Sequence, residues 1–263
     1  MAPQPFDFEN PPQGLNPFTA SVSDVEISYD VFVGGEGPAV ILMHEIDGVR
    51  DPVKRLAGYL AEQGFTVYVP HFFSSMRQGV IACIRKEFLA WQLDVTDPIT
   101  GWLGELAREA NRRDEQSRMV GIIGMCFSGG FALATLVTGL PVTAAVAAQP
   151  SLPWAGPASL ASQRRERDFG LSPRDRSTLE ENLSGGRARA LPLRFETDWK
   201  CPRLRVEEIS GLVGADAVRY LEGRGHSTLT QQFRQEGGHP ESMQAIGYVV
   251  DWLKDALGNP LVE

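Results

Sequence analysis

Cysteine is scarce in this chain: Cys83, Cys126 and Cys201 are the only three in 263 residues. They are too few and too scattered for a disulfide framework or a thiolate zinc site, both of which need paired or clustered sulfur. Basic residues are in deficit, with 25 Lys and Arg against 33 Asp and Glu and a formal net charge of −8. With no run of Lys and Arg, a nucleic-acid or anionic-membrane partner has no electrostatic footprint. Long apolar runs are missing too, so nothing reads as a membrane-spanning helix. The opening MAPQPFDFENPPQGLNPFTA lacks the basic start and apolar core of a secretory signal. A cytoplasmic, reducing location is the expectation, and there a catalytic thiol persists most easily.

What is present is ordinary globular composition, 43% hydrophobic and 22% charged, enough for one sizeable core. No internal repeat or low-complexity tract divides it, so a single domain over 1–263 is expected. Residues 1–23 read as an irregular leader rich in Pro, Asn, Gly and Ser. Val25–Val33 is strand-like, and PAVILMH (38–44) is a short continuous apolar run with the look of a fully buried central strand. Residues 51–63 show apolar positions at helical spacing, with Asp51 as the expected N-cap, Pro52 in the first turn and Gly64 as the stop. FTVYVP follows as a strand, 98–112 as a helix, RMVGIIG (118–124) as a strand, FALATLVTG as a helix and VTAAVAA as a strand. After LPLRFET (191–197) come a helix near 202–212, the strand AVRYLE (217–222) and a last helix from Pro240. Strands alternating with helices predict an α/β fold, a mostly parallel central sheet with helices on both faces. The stretch 151–190 breaks the rhythm, with many Arg, Ser, Pro and Gly and no convincing strand. So long a connection reads as a lid, a binding loop or a flexible excursion.

The chemistry starts at Gly124-Met125-Cys126-Phe127-Ser128-Gly129-Gly130. A buried strand runs into a small-x-Cys-x-small turn and straight out into a helix, the context of a nucleophile elbow with Cys in place of Ser. Such a turn is too tight for larger side chains two residues before and after the nucleophile. It sets the sulfur at a helix N-terminus, where the dipole favours a thiolate, and aims the Phe127 N–H at a developing oxyanion. A buried structural cysteine in a glycine-rich packing contact is the bland alternative. Nothing here matches a phosphate loop, which needs Gly-Lys-Ser/Thr.

A thiol nucleophile needs a base, and in this architecture the order is nucleophile, acid, histidine. Of His44, His71, His226 and His239, the latter two follow Cys126. His226 lies in LEGRGHS, where a strand ends and glycines free the loop to carry the ring over the sheet edge. His239 directly precedes Pro240 and the last helix, so a capping or surface role is expected for it. Asp198 closes the strand LPLRFET at the carboxyl edge, where open α/β sheets collect their active sites. Asp216 opens a strand, and Asp168 and Asp175 fall in the excursion. Asp198 is therefore the expected acid, accepting the imidazole Nδ1–H. HEIDGV (44–49) follows the buried strand and should supply a second oxyanion donor from the Ile46 N–H, bringing Glu45 close to the nucleophile.

Taken together, HEIDGVRD, GMCFSGG, the Asp198-to-Pro202 stretch and GRGHS resemble the dienelactone hydrolase family of α/β-hydrolases, in that family's order and over about residues 25–255. The resemblance implies a Cys126–His226–Asp198 triad with Ile46 and Phe127 amides as the oxyanion hole. It implies that the Glu45 carboxylate interacts with the resting thiol and takes its proton when substrate binds. It further implies a small-molecule ester or lactone as substrate and acyl transfer through a thioester, with no metal or organic cofactor required. Enzymes of the family hold an anionic substrate with arginine, one of them four residues past the histidine. Here that position is Thr230, and Arg85 is the candidate substrate cation. Arg164, Arg165, Arg167, Arg174 and Arg176 in the excursion read as a solvated face. The alternatives are a thioesterase or general carboxylesterase on the same scaffold, a silent relative that only binds, and Ser128 as nucleophile. Oligomeric state stays open.

Overall fold

The computed structural model describes residues 6–8, 14–73, 96–153, 163–231 and 239–258. Within them one sheet forms from β1 Phe18–Val22, β2 Val25–Gly35, β3 Ala39–Leu42, β4 Thr66–His71, β5 Val120–Met125, β6 Val142–Ala148, β7 Arg189–Phe195 and β8 Arg219–Leu221. Their spatial order is β1-β2-β4-β3-β5-β6-β7-β8. β1 pairs antiparallel with β2 and β2 with β4, and every other pairing is parallel. The helices are α1 Asp51–Glu62, α2 Ile99–Arg113, α3 Gly129–Thr135, α4 Gln163–Arg167, α5 Pro173–Ser184, α6 Arg203–Val213 and α7 Pro240–Gly258.

Both faces of the sheet are covered, which explains the continuous apolar runs of its central strands. Val40 and Leu42 of β3 join Ile123 and Met125 of β5 in a layer with Leu56 and Leu60 of α1 and Val249 and Leu253 of α7. Their neighbours Ile41 and Ile122 point the other way, against Trp102 and Leu106 of α2, Leu133 of α3 and Ile209 of α6. The alternation within each strand divides two buried cores rather than core from solvent. No described helix is long and apolar enough to cross a membrane.

Three details depart from the sequence reading. The leader contains a strand, β1, whose alternating exposure places Phe18, Ala20 and Val22 on one face. A tight turn at Ser23 and Asp24, both at positive φ, folds it back on β2. Arg50, not Asp51, is the N-cap of α1, and Asp51 is its first helical residue. Finally, the described part of 151–190 carries two helices, α4 and α5, and its last two residues open β7. Ser172 caps α5 by accepting from the Asp175 N–H at 3.1 Å, and Leu179 is fully buried. Two of the arginines expected on a solvated face, Arg167 and Arg176, converge instead on Glu208 of α6.

The chain leaves β3 for β4 on one side and reaches β5 on the other, so the sheet order reverses beside β3. Such a switch point opens a crevice at the carboxyl edge. Glu45 follows β3 and Cys126 follows β5, and the strands are joined up to that edge by the Met43 N–H to Ile123 carbonyl bond of 2.9 Å.

Candidate active site

Cys126 directly follows β5 with φ 58°, a left-handed conformation costly for a residue with a side chain. Its surroundings hold it there. The buried Ser128 Oγ accepts the Met125 N–H at 2.9 Å and lies 3.2 Å from the His44 carbonyl. Those bonds, with no exposure at all, make Ser128 a brace of the turn. At Gly124 a Cβ would stand 2.1 Å from the Ser128 carbonyl oxygen and 2.9 Å from the Ala132 Cβ. Gly124→Ala is therefore expected to destabilise the fold by about 3 kcal/mol, at the upper end of overpacking costs, as read by urea denaturation.

The structure brings together the residues predicted from three distant segments. His226 Nδ1 lies 2.8 Å from Asp198 Oδ2. A carboxylate can only accept, so Nδ1 carries the hydrogen and Nε2 faces the sulfur side. Asp198 Oδ1 in turn accepts the Lys200 and Cys201 N–H groups at 2.9 and 3.3 Å, and its side chain is 1% exposed. Burial works against an imidazolium at His226, but the bonds and charges of Asp198 and Cys126 outweigh it and push the ring up to about 9. Cys126 itself is half-buried.

Glu45 is 5% exposed, and its carboxylate is gripped on both oxygens. Oε1 accepts from Gln149 Nε2 at 2.9 Å and Oε2 from Thr230 Oγ1 at 2.6 Å. Each oxygen keeps a second lone pair, so these two bonds fix the carboxylate without saturating it. Ile46 sits half-buried in the turn after Glu45, and Phe127 is buried next to Cys126. Arg85 lies outside the described residues.

His44 lies among aromatic rings and is fully buried. Its Nε2 accepts the Phe72 N–H at 3.1 Å, so Nδ1 donates to the Glu45 carbonyl at 2.6 Å. Burial drives its pKa down to about 4, and this neutral ring pins the Glu45–Ile46 turn. His239 packs its edge on Phe195, 5.5 Å between centroids, and its carbonyl accepts the Met243 N–H at the start of α7. Asp168 Oδ1 accepts the Gly170 N–H in a local turn, and Asp175 Oδ2 accepts from the Ser172 and Thr96 hydroxyls. Cys201 is sealed in the core, where burial and the Asp198 charge push its thiol up to about 12.

Sequence reasoning missed a polar cluster after β6. Gln149, fully buried with φ 37°, bridges Glu45 to the loop of His226, its Oε1 accepting from the Thr228 N–H at 3.3 Å and from the Thr228 hydroxyl. Ser151 Oγ lies 3.3 Å from Cys126 Sγ and 3.4 Å from His226 Nε2. The available signal was the Gln-Pro-Ser following an apolar strand at the same edge, the logic that selected Asp198. Among the described residues no cluster of His, Cys, Asp or Glu could hold a metal ion. A cavity of about 310 Å³ lined by Thr66, Tyr68 and Arg118 sits at the amino edge and gathers none of these groups.

Residues 31–166 match the dienelactone hydrolase family. Over 123 residues the chain is 28% identical to carboxymethylenebutenolidase of Rhodococcus opacus, a match covering 47% of this chain and 46% of that protein. The chain thus spans about half the length of the curated relative it matches. The dienelactone hydrolase structure of Anabaena variabilis aligns over 92% of this chain and 99% of its own at 14% identity, with a TM-score of 0.53. A dienelactone hydrolase-like promiscuous phosphotriesterase from metagenomic libraries aligns over 92% and 98% at 16% identity, with a TM-score of 0.59. These likenesses establish the α/β-hydrolase fold, and the match over residues 31–166 spans more than half of the sequence: the chain belongs to the dienelactone hydrolase family.

Proposed function

We propose that this protein hydrolyses a carboxylic ester or lactone, with Cys126 as nucleophile, His226 as general base and acid, and Asp198 as the carboxylate that orients the ring. The observation that carries the reading is the 2.8 Å bond between His226 Nδ1 and Asp198 Oδ2, which turns Nε2 toward an accessible sulfur on a strained strand-to-helix turn. In the first half-reaction His226 accepts the thiol proton and the thiolate adds to the carbonyl carbon. The tetrahedral oxyanion is received by the Ile46 and Phe127 amides, each such donor being worth roughly 3 kcal/mol. Collapse expels the alkoxide, which takes the proton from His226, and leaves a thioester on Cys126. In the second half-reaction His226 takes a proton from water as its oxygen attacks the thioester, and returns it to the departing sulfur, regenerating the thiol and releasing the acid.

The relative named carboxymethylenebutenolidase favours a lactone among the possible substrates. The Thr230 hydroxyl is engaged with Glu45, so a substrate carboxylate meets no cation at that position. This extends the reading to uncharged lactones and aryl esters. Arg85 keeps its proposed part in binding any anionic substrate. Glu45 is proposed as the buried carboxyl group that braces the turn carrying Ile46 against the loop carrying His226, and as the acceptor of the thiol proton when substrate binds.

Rapid mixing with an activated aryl ester, acid quenching and peptide mass analysis tests the scheme. An acyl group on the Cys126 peptide is expected within the first turnover, with a burst of phenol release. Turnover without any adduct on that peptide would reject the covalent route. Acyl thioesters tested alongside lactones separate a thioesterase by its higher kcat/KM, and a protein that only binds would turn over none of them.

A further inference from the structure

We propose that Ser151 is a further catalytic residue of this thiol chemistry: its hydroxyl donates to the Cys126 sulfur while that sulfur is ionised and turns to the Gln149 carbonyl once the sulfur is acylated. The inference rests on the function proposed above and assigns a role to a residue outside the triad.

The hydroxyl has one hydrogen and three groups in reach: Cys126 Sγ at 3.3 Å, the Gln149 carbonyl at 3.1 Å, and His226 Nε2 at 3.4 Å, which accepts only while the ring is neutral. A thiolate carries full charge and is the stronger acceptor, whereas a thioester sulfur is a poor one. Forming the acyl bond therefore releases the hydrogen to the carbonyl by a rotation about the Cβ–Oγ bond, with the oxygen left in place. His226 Nε2, 3.4 Å from the same oxygen, finds a lone pair there in its protonated state. Ser151 keeps its proton throughout, so no covalent step passes through it.

The placement is over-determined. The Ser151 N–H donates to the Cys126 carbonyl at 3.0 Å and the Gln149 N–H to the Leu193 carbonyl at 2.7 Å. The fully buried Arg205 guanidinium reaches the carbonyls of Pro150 at 3.1 Å and Arg165 at 3.0 Å, and also those of Pro153 and Asp168. A backbone fixed on both sides of a small side chain, with that side chain against a reacting atom, is the structural form of preorganisation. The other charged or titratable groups around the sulfur are His226 and Asp198 on the loops after β8 and β7, Glu45 after β3, the buried Cys201 thiol, and the buried Arg194 and Arg205.

The test is the pH dependence of iodoacetamide labelling at Cys126, read on the Cys126 peptide, in wild type, Ser151→Ala and Ser151→Thr. Loss of a hydrogen bond to a charged acceptor is expected to raise the labelling midpoint by about one pH unit in Ser151→Ala, so labelling on the acid side slows about tenfold. Ser151→Thr, which restores the hydroxyl, should return the midpoint; Ser151→Gly supplies the same reading as Ala should the methyl pack poorly. An unmoved midpoint in Ala and Gly, or one that Thr fails to return, overturns the role of Ser151. If Cys126→Ala still hydrolyses esters, the proposed function falls and this role with it. If Cys126→Ala is silent and the midpoint does not move, Ser151 alone is refuted.

Discussion

Cys126→Ala is expected to lower ester hydrolysis by about 10⁴- to 10⁶-fold while leaving the fold intact, the scale seen when a nucleophile is removed from a triad. The neighbouring hydroxyls are placed less well than the sulfur. The Ser128 hydroxyl is buried and bonded to backbone, and the Ser151 hydroxyl, though 3.4 Å from His226 Nε2, is not on the strand-to-helix turn that carries the Phe127 amide. The substitution removes one half-buried atom and retains the φ of 58° at that position, so thermal unfolding should move by little. The comparison is one of steady-state rates on the best lactone or aryl ester, with far-UV circular dichroism as the check on folding. A variant retaining a tenth of wild-type turnover would place the nucleophile elsewhere.

Asp198→Asn should cost about 10³- to 10⁴-fold, through the ring rather than through any contact with substrate. The carboxylate now fixes the hydrogen on Nδ1 and, with Cys126, raises His226 to about 9. An amide in its place offers N–H as readily as carbonyl, so the ring can present the wrong nitrogen to the sulfur and loses its anionic partner. The alkaline limb of the rate profile, expected near pH 9 in wild type, should shift toward the ordinary 6.5 in the variant. Stability follows the same sign. A ring whose folded pKa is raised stabilises the fold fully below 6.5, and this contribution is lost as pH climbs through about 9. Wild type should therefore lose stability across that window, and Asp198→Asn should lose less, since only Cys126 then raises the ring. A variant with the wild-type alkaline limb would mean that another group sets the protonation of His226.

The sheet was legible because its central strands are buried on both faces and read as unbroken apolar runs, and because Gly or Pro punctuates their ends. β1 escaped notice since an edge strand with polar alternate positions looks like a loop until its partner is known. α5 escaped for a different reason. It buries one residue, Leu179, so it has almost no apolar stripe, and its one local mark is Ser172-Pro173 with Asp175 three residues past the cap. In the site, Cys126 was readable from a motif that the tightness of the turn imposes, and Asp198 and His226 from chain order and strand ends. Gln149 and Ser151 belong to no motif. Their partners lie at positions 45, 126, 226 and 228, and contacts so distant in sequence leave no local pattern. The Glu45 carboxylate is held by Gln149 and Thr230, partners that could not be read from spacing.

The backbone at Cys126 sets the needs of the molecule as a solid against its needs as a catalyst. A left-handed bend at a residue with a side chain costs about 1–3 kcal/mol, and glycine would relax it. An exchange of Cys126 for glycine is therefore expected to give a more durable turn, at the loss of the one thiol that this bend holds at the carboxyl edge of the sheet.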